Sequence, residues 1–192
     1  DVTIDSGATW TLTSDTLGSG YSIGNIGTLT NTGVLLSTVT TSGTAVVSNA
    51  ANATISAGGT AAVYLANYGT LVNAGLLTGT GPSTAASAVQ ANSGQQAVTN
   101  TGSGTVTGYG FGVHLAGNVE TLSNAGQVTA TGTAGTGAYV GGGSPYVTNA
   151  SGGTIAGARY GLHLNRASCC PILPSRWKDS THALIGVPIV AM

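Results

Sequence analysis

Side chains able to do chemistry are few in this chain of 192 residues, and they are scattered. The five carboxylates are Asp1, Asp5, Asp15, Glu120 and Asp179. Acid/base cleavage of a glycosidic bond needs two carboxyl groups facing each other across the substrate. No acid lies between Asp15 and Glu120, so Glu120 is expected alone in a turn. Asp5 and Asp15 read as solubilising charges at one end. The sequence has no phosphate-binding Gly-Lys-Ser/Thr loop and no Gly-x-Gly-x-x-Gly fingerprint. Cys169 and Cys170 are adjacent, which suits neither a disulfide framework nor a zinc site. Two glycosylation sequons, at Asn52 and Asn149, are expected by chance in so Thr- and Asn-rich a chain. No cofactor is expected.

One constellation stands out. Tyr64, His114, Tyr139 and His163 each sit between two hydrophobes: Val63/Leu65, Val113/Leu115, Ala138/Val140 and Leu162/Leu164. Strand alternation turns the flanking residues inward and these four outward. They are expected in one exposed column, with Gln90 in the place of a missing ring. Such rings can stack on sugars or dock a partner. They can also stack on one another and simply stabilise the sheet, which is the more economical reading. His114 and His163 should lie two coils apart, roughly 10 Å, too far to share a metal ion. No metal site is expected.

The elements that must position these residues are repeats. Six asparagines close short apolar runs: Asn31, Asn49, Asn73, Asn100, Asn124 and Asn149. Their spacings are 18, 24, 27, 24 and 25 residues. After Asn31, Asn73 and Asn124 a hydrophobe follows four residues on, at Leu35, Leu77 and Val128. After Asn49, Asn100 and Asn149 it follows six residues on, at Ile55, Val106 and Ile155. The two-residue difference preserves strand phase, and the alternation suggests a genetic unit of two coils. Short period-two strands in coils of this length predict an all-β fold, a right-handed parallel β-helix of about seven coils. A β-propeller is the rival, since two coils approach the length of one blade. The asparagines favour the solenoid. Stacked, they can hydrogen-bond from coil to coil, and Asn tolerates the left-handed backbone of a tight corner.

Composition agrees. Only nine residues are Asp, Glu, Lys or Arg, and 32 are glycine. No basic patch for nucleic acid can be built, and a low-charge chain with this much apolar content is not disordered. The Thr-x-Thr pairs at Thr11, Thr28, Thr38, Thr105 and Thr129 are expected on different strands, as surface filler rather than one flat array. The repeat occupies residues 1–164. Residues 165–192 hold both cysteines and three of the four basic residues. They break the pattern abruptly and read as out-of-frame sequence rather than a cap.

The repeated Val/Leu-Thr/Ser-Asn-x-Gly, the following Val/Ile-x-Gly and the later Gly-x-Gly-Val/Leu-x-Leu resemble the passenger repeats of bacterial autotransporters. Gly7-Ala-Thr-Trp10-Thr-Leu12 resembles the strand that opens such a run. The resemblance covers residues 1–164. It implies secretion, display at the cell surface and attachment to the outer membrane through a C-terminal translocator β-barrel outside this sequence. The expected function is structural or adhesive: a low-charge Thr/Asn-rich face presented to a like rod, to surface glycans or to host proteins. The alternative is a β-helical polysaccharide-degrading enzyme or its stalk.

Overall fold

A computed structural model of the protein describes residues 1–13 and 20–166. Among them there is no helix, and therefore none long and apolar enough to cross a membrane. Three sheets carry all the strands. Sheet A has eight strands: Val2–Ile4, Ser22–Asn25, Thr38–Thr41, Ala61–Leu65, Ser87–Ala91, Phe111–Leu115, Thr136–Gly142 and Tyr160–Arg166. Sheet B stacks seven strands from Thr9–Leu12 to Tyr146–Asn149, and sheet C stacks six from Val34–Leu35 to Thr154–Ala156. The chain visits A, B and C in turn and then starts the next coil, so that coil 1 opens at Val2 and coils 3, 4, 5 and 6 open at Thr38, Ala61, Ser87 and Phe111. Every strand pairing is parallel. This is a parallel β-solenoid of about seven turns. A propeller is excluded, because its blades are antiparallel.

The core consists of columns. Ile23, Val39, Val63, Val89, Val113 and Ala138 lie in register on sheet A. Leu29, Val47, Leu71, Val98 and Leu122 do so on sheet B. Leu35, Ile55, Leu77, Val106, Val128 and Ile155 do so on sheet C. All are buried. At about 1.5–3 kcal/mol for each buried aliphatic side chain, these columns hold the coils together. The next inward position on sheet B is the asparagine column.

All six asparagines are buried and in register. From Asn31 to Asn124, each Nδ2 donates to Oδ1 of the asparagine one coil further on, from Asn31 to Asn49 at 2.9 Å and from Asn124 to Asn149 at 2.7 Å. The three intervening bonds are 2.8 Å. The same Nδ2 groups also donate to turn carbonyls, such as Gly104 for Asn100. The ladder therefore satisfies backbone groups at the B–C corner that would otherwise be buried and unpaired. The expected left-handed role is corrected. Among the described residues, positive φ outside glycine occurs at Asn52 and Asn67, not in the ladder. The ladder asparagines remain in strands and act through their amides.

The alternation of short and long B–C turns also has a physical cause. A Cβ on Gly75, in the short turn of coil 4, would collide with the carbonyl oxygens of Ala50 and Ala53 in the long turn of coil 3. Gly126 in coil 6 is packed against Thr101 and Gly104 of coil 5 in the same way. Both of these short turns sit against the preceding long one, so the structural unit is a pair of coils.

The strand expected to end at Leu164 continues through Asn165 and Arg166, paired with Gly141 and Gly142. The rest of the tail and Asp15 lie outside the described residues.

Candidate functional site

Sheet A places the predicted column in one row. Tyr64, Gln90, His114, Tyr139 and His163 are successive register partners, with Thr40 before them. The predicted flanking hydrophobes are buried at Val63/Leu65, Val113/Leu115 and Ala138/Val140, whereas on the last strand Leu162 is half-buried and Leu164 is exposed. Tyr64, Gln90, His114 and Tyr139 are half-buried, and His163 is exposed.

The rings, however, do not form one group. His114 and Tyr139 stack at 4.9 Å with 16° between their planes. His163 meets Tyr139 edge-on at 5.1 Å. Phe111 packs on His114 at 4.7 Å, and Tyr160 on His163 at 5.3 Å. The Arg159 guanidinium lies 5.1 Å from the Tyr160 ring centre, a cation–π contact. Asn165 Nδ2 donates to the Tyr139 hydroxyl at 2.9 Å. Tyr64 makes no ring contact among the described residues, because Gln90 separates it from His114. Burial beneath its neighbours lowers the pKa of His114, opposed in part by its own backbone. Phe111, Tyr160 and Arg159 were not expected in this patch. Phe111 and Tyr160 sit three residues before the column position, where the strand begins, and Arg159 lies one residue earlier still.

The carboxylates lie apart. Asp1 accepts from the Ser22 hydroxyl at 2.8 Å at the N-terminal end. Glu120 is not in a turn, as expected, but in the strand Val119–Asn124, and it is fully buried. It shares strand parity with Leu122 and Asn124, which turns it inward. Burial pushes its pKa up to about 7, while the backbone amides of Gly117 and Gln96 pull the other way. Those amides face the carboxyl without closing full hydrogen bonds.

A third feature lies at the B–C corner. The long turns of coils 3 and 5 stand out as ridges, and the short turn of coil 4 floors an open groove between them. The groove measures about 310 Å³, with Ala74, Gly75 and Leu76 beneath and Asn52 and Ser103 on its walls. No charged residue lines it. Asn52 is exposed on its ridge, whereas the Asn149 amide is bound within the ladder. The threonine pairs fall on three different sheets.

No protein-family model matches the chain, and no curated protein or solved structure matches it.

Proposed function

We propose that the chain is a structural, self-adhesive segment of a secreted passenger displayed at a bacterial cell surface and delivered by the translocator barrel that the resemblance implies. One observation carries this reading. Among the described residues from 20 to 158 the sole Asp, Glu, Lys or Arg is Glu120, and it is buried. Two such rods can meet side by side without charge repulsion and without stripping water from ions. Outward Thr, Ser and Asn then supply hydrogen bonds across the contact. The B–C edge adds shape: its ridges recur every second coil, about 9.6 Å apart, which matches the spacing of its grooves.

Sedimentation velocity over a concentration series tests the proposal. Reversible association that survives high salt is expected. Leu76→Lys, which places a charge on the groove floor, should weaken it. A chain that stays monomeric throughout, or associates only at low salt, refutes the reading. The free ring of Tyr64 supports glycan contact as a second reading, to be abandoned if Tyr64→Ala leaves glycan retention unchanged.

A further inference from the structure

Glu120 and Gln96 are register partners in coils 6 and 5. Both point into the A–B corner, at 0% and 2% exposure. Gln96 Nε2 donates to the carbonyls of Asn67, at 2.6 Å, and of Ser93. These bonds fix the amide, since flipping it would set its oxygen against two carbonyl oxygens. Gln96 Oε1 is then left without a hydrogen-bond partner, as are both carboxyl oxygens of Glu120.

Gly117 shows that these oxygens converge. The position a Cβ would take there lies 2.8 Å from the Gly94 carbonyl oxygen and 2.9 Å from Gln96 Oε1, and it collides with Glu120 Oε1. Among the described residues no lysine or arginine partners the Glu120 carboxyl, and the first lysine or arginine in the sequence is Arg159. The titratable side chains on the packed elements are Tyr68, Tyr139 and Tyr146. Tyr68 and Tyr146 are exposed, and Tyr139 stacks on His114 at the outer face. A calcium ion would need six to eight oxygens, more than converge here. Two facing acceptors can share a hydrogen bond only if one carries a proton, and of the two only the carboxyl readily takes one.

We propose that Glu120 and Gln96 form an acid–amide latch between coils 5 and 6, closed by a proton on Glu120 donated to Gln96 Oε1 and opened when that proton is lost. Burial, which raises the Glu120 pKa to about 7, places the opening near neutral pH. The latch is independent of the self-association proposed above.

Two measurements on the full chain test it. The first follows the Glu120 side-chain carbonyl by ¹³C NMR through a pH titration. A midpoint near 7 is expected, with a lower midpoint in Gln96→Leu, which loses both the acceptor and its repulsion of the carboxylate. A midpoint at the ordinary 4.5, or one unmoved by Gln96→Leu, overturns the latch.

The second compares urea unfolding of the wild type and Glu120→Gln, whose side-chain amide can donate to Gln96 Oε1 without a proton to lose. As pH rises from 4.5 past 7, the wild type should lose folding equilibrium relative to Glu120→Gln, on the order of 10²-fold. Taking the difference removes the opposing titration of His114. Curves that stay parallel overturn the proposal.

Discussion

Replacing Asn100 by leucine tests what holds the B–C corner. Asn100 Nδ2 donates to Asn124 Oδ1 at 2.8 Å, to Gly104 O at 3.1 Å and to Gln127 O at 3.2 Å. Its Oδ1 accepts from Asn73 at 2.8 Å. Leucine fits the column, because Leu12 already occupies it beside Asn31, so the change leaves little cavity. What remains is hydrogen bonding. Two shared donor hydrogens and one accepted bond are lost, at about 1 kcal/mol each. Asn124 Oδ1 is left buried without its donor, which adds about 1–3 kcal/mol. The expected cost is roughly 4–6 kcal/mol, measured by urea unfolding. Because coils couple only to their neighbours, amide exchange should accelerate in coils 4, 5 and 6 and little elsewhere. Asn100→Asp should cost more than leucine at neutral pH, since a carboxylate oxygen would face Asn124 Oδ1. A leucine variant within about 1 kcal/mol of the wild type would show that the ladder follows from the fold rather than holding it.

Other substitutions separate the remaining causes. Gly75→Ala should destabilise by more than about 2 kcal/mol, since its Cβ meets backbone oxygens that cannot swing away. Gly43→Ala, at φ +63° in open space, should cost only about 1 kcal/mol, and equal costs would refute the packing argument. Tyr139→Ala should lose about 0.5–1.5 kcal/mol per ring contact, whereas Tyr64→Ala should lose none of that. A thermal melt of each variant checks the difference. His114 should titrate below 6.5 by NMR. Because its folded pKa is depressed, its contribution to stability is complete above 6.5 and declines as pH falls through that value. Glu120 acts in the opposite sense: its folded pKa is raised, so its contribution is complete below 4.5 and is lost as pH rises through about 7.

The solenoid was legible because each coil repeats the constraint of the last. The six asparagines and the hydrophobes four or six residues beyond them gave the register of sheets B and C residue by residue. Alternation placed Tyr64 through His163 in a row. It could not reveal ring contacts, which depend on side-chain angles and on Phe111 and Tyr160 at other positions. The left-handed role assigned to the ladder failed because asparagine serves two purposes here. Its backbone tolerance is used at Asn52 and Asn67 in turns, and its amide is used within strands.

Glu120 failed for a different reason: charge was allowed to outweigh phase. Its parity with Leu122 and Asn124 matches that of Gln96 with Val98 and Asn100, and both strands are two residues longer than their four-residue counterparts Val46–Asn49 and Thr70–Asn73. Phase alone turns Glu120 inward. An inward carboxylate with no lysine or arginine anywhere before Arg159 has only a proton to neutralise it, so the parity of one strand and the composition of the chain together lead to a buried neutral acid.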